Sequence, residues 1–291
     1  MEFLPIRINT LRPGHTVTFD VYLLLGEKHL HYIRNLEPFE EDRLIKLKGK
    51  GVKKLYIDSQ AEHLYLEYLD AGLNQLTEKT QDLSKRGEIA QDTLTTEAEN
   101  IERSLETEQT YKKTEARVGK VIEFLTSEQG ALRSILGSTG CSLDQFQHGS
   151  TVASLSVGLA IKIGGMASRE LFDLAMAALV HDLGIQKLGL DPMRSKSSLS
   201  ADEKKLYAKH PEKAVELLSD KRFVTPTFLR LVIEHEELGD GEGFPEKKNL
   251  SKLPLSSQIL SLCNEFDRVS IEKKIPPIQL VKLFFQEKAH L

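Results

Sequence analysis

The sequence predicts a mainly α protein: a C-terminal all-helical bundle, preceded by a small N-terminal α/β domain and a long charged helical connector. Three observations carry this reading. Three prolines lie by position 38 and seven from Pro192 onward, leaving 39–191 without one; proline clashes inside helices, so its absence favours them. The first 70 residues read differently, with apolar and polar side chains alternating over 16–23 at the period of a strand. Over 77–118 there are ten acidic and seven basic residues, no proline and one glycine, the composition of a solvated helix. The boundaries fall at 1–76, 77–124 and 125–291.

Each element follows from local pattern. Val17, Phe19, Val21 and Leu23 alternate with Thr16, Thr18, Asp20 and Tyr22, a half-buried strand, and Gly26-Glu27-Lys28 turns it into a second strand over 29–33. A helix follows over 40–48, ended by Gly49 and Gly51, and then a strand over 52–57. Ser59 and Glu62 have capping-box spacing and should open a helix that runs through Leu69. In the charged segment Leu76, Leu83, Ala90, Leu94, Ile101 and Leu105 recur at seven- and four-residue steps. That pattern suits a sparse coiled-coil seam, hence a homodimer, a solvated helix packed on a neighbour, or a disordered tether.

Composition excludes several classes. The 291 residues are 40% hydrophobic and 28% charged, with 12 Phe and 7 Tyr, enough for a packed core. A net charge of −4 gives no general attraction to nucleic-acid polymers or anionic membranes. Five lysines over 46–54 read as an exposed helix end and strand edge, and His29 and His31 as solvated strand residues. Cys141 and Cys263 are the only cysteines, which points to a reducing cytoplasm. Cys263 reads as core, and so does the pair Phe284-Phe285. Neither a signal peptide nor a membrane span is expected.

The chemistry lies in the third segment. His148 falls on a helix with Val152, Leu155, Leu159 and Ile163. A second apolar helix delivers His181-Asp182 at its end. Ser200 and Glu203 form a capping box for a helix ending at His210-Pro211, and a helix over 227–237 carries His235, Glu236 and Glu237. Imidazoles and carboxylates presented by consecutive helices are how a bundle builds a metal site. His181 and Asp182 face one point only if the backbone leaves the helix there.

In order, these elements and the run His235-Glu236-Glu237-Leu238-Gly239-Asp240-Gly241-Glu242-Gly243-Phe244-Pro245 resemble the HD-GYP domain. That family belongs to the HD superfamily of metal-dependent phosphohydrolases and is known for hydrolysing cyclic di-GMP. The resemblance covers about 130–291. It implies a helical bundle around a two- or three-metal centre, with His148, His181, Asp182, His210 and His235 as ligands and Asp182 as the bridge. It further implies two divalent ions, iron first, with manganese, zinc or nickel as alternatives. A metal-bridging hydroxide would attack the phosphodiester, and Gly241, Gly243, Phe244 and Pro245 would lie beside substrate.

The sequence departs from the family pattern at four positions. Glu236 stands where the family's second His stands, and it can still ligate. Phe244 replaces the signature Tyr. Ile185 replaces a lysine that Lys187, two residues on, would supply as a catalytic cation. Asn264 replaces a metal-binding Asp as a weaker oxygen ligand. Asp144 sits where three-metal members carry a Glu. Leu11-Arg12-Pro13-Gly14 and 52–57 resemble the small domain that precedes HD-GYP in some bacterial proteins. Two functions follow: a cyclic di-GMP phosphodiesterase, or a catalytically weak member that binds the nucleotide. The weak member would signal through a protein partner at the 239–245 loop or the N-terminal domain.

Overall fold

Strand β1 (Phe3–Arg7), absent from the sequence expectation, pairs antiparallel with β4 (Lys54–Asp58) from Phe3 opposite Asp58 to Arg7 opposite Lys54. Between them in the chain come β2 (Val21–Leu25), β3 (Lys28–Ile33) and helix α1 (Glu41–Gly49). The sheet order is β1-β4-β2-β3. This is a computed structural model, and it describes residues 2–78, 82–138, 144–277, 279–281 and 284, without the side chains of 102 and 103. The chain divides into two compact units, Met1–Thr80 and Gln81–Leu291.

In the first unit β2 starts four residues later than the alternation suggests. Val17 and Phe19 are buried ahead of it, and Thr16 bridges Pro38 instead. Both join Leu11, Val21, Ile33, Phe39, Leu55, Ile57 and Tyr65 in one apolar core. Each such side chain contributes about 1.5–3 kcal/mol on burial. Helix α2 (Glu62–Leu73) closes the core, but Ser59 does not cap it: Asp58 accepts from the Gln60 amide, and 59–61 form a 3₁₀ turn. His29 stacks on the Phe3 ring with centroids 3.9 Å apart, and His31 pairs with Asp20 at 3.0 Å.

The second unit is helical. In order come α3 (Leu83–Glu99), α4 (Ile101–Ser104), α5 (Glu108–Ser127), α6 (Ala131–Ser138), α7 (Gln145–Ile163) and α8 (Ser168–Val180). After them come α9 (Leu183–Lys187), α10 (Ala201–Tyr207), α11 (His210–Leu218), α12 (Pro226–Glu234) and α13 (Leu255–Lys273).

The stretch expected as a charged connector supplies α3 and α5, which pack within this unit against α6, α7 and α8. Several of its polar residues are buried and paired. Arg117 donates to Glu97 Oε1 at 3.2 Å, Thr114 donates to Glu97 Oε2 at 2.6 Å, and Gln91 reaches Ser150 on α7 at 2.7 Å. Buried charges of this kind survive only when paired. Leu280 and Phe284 pack on Phe266 and Val269, whereas Phe285 and Cys141 lie outside the described residues. Among the described residues no helix is long and apolar enough to cross a membrane.

Candidate metal centre

Helix ends aim the histidines. Asp144 caps α7 by accepting from the Phe146 amide, which sets His148 one turn in. Helix α8 stops at Val180 with His181 as its C-cap, and Asp182 leads into α9, so the backbone leaves the helix at this dipeptide as expected. The Ser200–Glu203 capping box is present, but α10 ends at Tyr207. His210 therefore opens α11 instead of closing α10, with Pro211 in the first turn, where its missing amide hydrogen is harmless. Helix α12 likewise stops at Glu234 and presents His235 as its C-cap.

Two clusters result, and they share one carboxylate: His148, His181 and Asp182 form the first, and Asp182, His210 and His235 the second. Asp182 Oδ2 lies 3.7 Å from His148 Nε2 and 3.4 Å from His181 Nε2, while Oδ1 lies 3.5 Å from His210 Nε2 and 3.9 Å from His235 Nε2. The other ring nitrogens are spoken for. Nδ1 of His181, His210 and His235 each lies 2.7 Å from a backbone carbonyl, of Ala178, Tyr207 and Val232. His148 Nδ1 lies 2.7 Å from Asp267 Oδ2.

An imidazole whose Nδ1–H is donated keeps its lone pair on Nε2. Those lone pairs meet head on, His148 and His181 at 3.2 Å and His210 and His235 at 2.8 Å. Asn264 Oδ1 adds another acceptor 3.1 Å from His148 Nε2, and Asp182 Oδ1 is buried without a hydrogen-bond partner. Facing acceptors with no donor between them repel unless a cation sits among them. The donor set, nitrogen and carboxylate oxygen, is that of a divalent transition metal, so the residues fit one.

Burial holds His148, His210 and His235 below the usual imidazole range, which keeps them neutral and able to ligate. Burial alone would raise the Asp182 carboxyl, yet the Arg268 guanidinium beside it holds it well below the carboxylate range. Arg268 of α13 donates to Asp182 Oδ2 at 2.5 Å.

The remaining expected residues separate. Glu236 is buried beside His235, but its oxygens accept from Tyr207 at 2.8 Å and Lys196 at 2.7 Å, so it is held away from the clusters. Burial opposes its ionisation, and the Lys196 ammonium outweighs this. Lys187 is exposed at the end of α9, while Ile185 is fully buried. Asp144 serves as a cap and belongs to neither cluster.

Phe244 packs its ring edge against Tyr207 and His210, with centroids 6.0 Å from each, and Pro245 follows it. Gly243 is required sterically, since a Cβ there would lie 2.3 Å from the Leu238 amide nitrogen; Gly241 has φ +83°. Glu237, which carried no assigned role, clamps this loop by accepting from the amides of Glu246 at 2.6 Å and Lys248 at 2.8 Å. A cavity of about 290 Å³ opens beside the centre, lined by Glu99, Gln145, Phe146, His181, Asp182 and Gln186. Helix α3 thus supplies one of its walls.

Residues 145–283 match the protein family described as HD domain. The chain is 26% identical over 164 residues to the cyclic di-GMP phosphodiesterase response regulator RpfG of Xanthomonas campestris, covering 56% of this chain and 39% of that protein. It is 26% identical over 110 residues to 3'3'-cGAMP-specific phosphodiesterase 2 of Vibrio cholerae, covering 38% of this chain and 21% of the relative. Against cyclic di-GMP phosphodiesterase PA4108 of Pseudomonas aeruginosa it is 24% identical over 129 residues, covering 44% and 31%. The chain therefore spans less than half the length of these curated relatives. Among solved structures, Bd1817, a HDG"Y"P protein from Bdellovibrio bacteriovorus, superposes with a TM-score of 0.84 at 26% identity, over 99% of this chain and 95% of that one. With a match to the HD domain over 145–283 and this likeness along its length, the chain is similar to an HD-GYP protein, and it carries Phe244 where the expected pattern has its Tyr.

Proposed function

We propose that the chain is a metal-dependent phosphodiesterase that hydrolyses cyclic di-GMP or a related cyclic dinucleotide. The observation that carries this reading is the pair of clusters sharing Asp182. His210, His235 and Asp182 Oδ1 would hold one divalent ion; His148, His181, Asn264 and Asp182 Oδ2 would hold a second. Bound cations supply neutralisation of phosphoryl charge and a lowered pKa for an attacking water. The chain's own residues do the rest. The backbone carbonyls and Asp267 fix the imidazole tautomers. The cavity along α3 and α7 receives the ligand, with Phe146 as an apolar wall and Gln145 and Gln186 as amides able to meet a base edge. The names of two relatives support cyclic di-GMP as the substrate class.

A second reading, binding without turnover, is favoured by one feature: the family's lysine position is a buried Ile185. A missing cation at a transferring phosphate removes transition-state stabilisation, often a factor of about 10² to 10³ in rate. One experiment separates the two. Protein freshly loaded with Fe(II) or Mn(II) is incubated with cyclic di-GMP and the nucleotides are resolved by chromatography. Linear dinucleotide or GMP from the intact chain, and none from Asp182→Ala, establishes the hydrolase. Absence of product from a metal-loaded preparation that still retains the nucleotide establishes the binding module.

A further inference from the structure

The two halves of the centre are not equivalent in the carboxylate oxygen they offer. Asp182 Oδ1, which faces His210 and His235, is buried with no hydrogen-bond partner. Asp182 Oδ2, which faces His148 and His181, already accepts from the Arg268 guanidinium at 2.5 Å. Arg268 enters from α13, one turn beyond Asn264, so the two share a helix face. Its side chain is 13% exposed, its second terminal nitrogen lies 3.5 Å from the Pro192 carbonyl, and its buried Nε has no partner. The guanidinium is therefore drawn inward chiefly by Asp182.

Asn264, the remaining oxygen at the His148 half, carries no charge, and Asp267 acts only through the His148 ring. Both halves share the single charge of Asp182, but at Oδ2 a permanent cation already stands where a metal would approach. The other half keeps a bare carboxylate oxygen and two lone pairs. Like charges at one oxygen exclude each other strongly in a buried site.

We propose that Arg268 competes with a divalent cation for Asp182 Oδ2. The His210–His235 half then fills first, and the His148–His181 half fills only when the guanidinium moves off. Arg268 is on this account a positioning residue that makes full loading depend on metal supply. The inference rests on the metal-centre reading above.

The test is a Mn(II) titration of the full chain after metal stripping, with free Mn(II) followed by electron paramagnetic resonance. The wild type should bind in two steps, the second weaker by about tenfold or more, the scale on which groups around a metal tune affinity. Arg268→Gln should tighten the second step by about tenfold and leave the first nearly unchanged. His148→Ala should abolish the weak step, and His235→Ala the tight one. Two equal sites in the wild type, or an unaltered second step in Arg268→Gln, overturns the inference while the metal centre stands. Should Arg268→Gln not fold, loss of the tight step in His148→Ala overturns it equally. No Mn(II) uptake by the wild type removes the metal reading itself and the inference with it.

Discussion

Asp267 Oδ2 lies 2.7 Å from His148 Nδ1, so this carboxylate, 119 residues along the chain, decides which nitrogen of His148 faces Asp182. The pairing is a carboxylate–imidazole relay that both orients the ring and raises its basicity. Asp267→Ala should weaken metal binding at the His148 half by about 10–100-fold. Calorimetric titration with Mn(II) checks this, and an unchanged affinity would show that the ring is fixed by packing alone.

Gly184 sets the spacing between the two halves. A Cβ at this position would lie 2.1 Å from the His210 carbonyl oxygen and 3.0 Å from the Ala214 nitrogen, so α9 and α11 would have to part. Overpacking of this kind destabilises by about 1–3 kcal/mol. Gly184→Ala should therefore lower the urea midpoint and, because His210 moves relative to Asp182, weaken metal uptake too. Loss of stability with wild-type metal affinity would mean that the strain is relieved away from the site.

The pair Glu97–Arg117 joins α3 to α5, with side chains 3% and 9% exposed. Glu97→Ala removes the buried carboxylate that faces the Arg117 guanidinium. Glu97→Ala should cost about 3–5 kcal/mol of stability in denaturant unfolding. A loss below about 1 kcal/mol, the scale of exposed pairs, would place the pair in water instead.

The metal-free chain should lose stability as pH falls. Burial lowers His148, His210 and His235 below the ordinary 6.5, so the unfolded chain takes up protons there that the folded chain refuses. Stability is then fully present above about pH 7 and declines as pH drops from about 6.5 toward the lowered folded values. Asp182, whose carboxyl is also lowered, acts in the same sense below about pH 4. Urea midpoints of the stripped protein between about pH 7.5 and 5 provide the check; a midpoint that rises on acidification contradicts buried neutral imidazoles.

Much of the centre could be read from the chain, because His148, His181-Asp182, His210 and His235 occur in order on separate apolar helices. The structure gathers them into two clusters that share Asp182. Asp267 and Arg268 could not be read this way. They sit on the inward face of α13 among residues whose spacing looks like ordinary helix, and only the fold shows that this face meets His148 and Asp182. Glu236 was misleading for a local reason: α12 stops before His235, so the next side chain swings toward Tyr207 and Lys196. In the charged stretch, composition cannot distinguish Glu97 indoors from a glutamate in water, since burial depends on a partner 20 residues away. Strand β1 carried too short an alternation to register, and it forms because β4 offers it an edge.

The most direct measurement is metal add-back against turnover of cyclic di-GMP. Chain stripped with chelator should release no linear dinucleotide, recover it on adding Mn(II), and fail to recover it when the only change is Asp182→Asn. Hydrolysis that persists in the stripped chain, or survives Asp182→Asn undiminished, would contradict a centre organised around the carboxylate that the two clusters share.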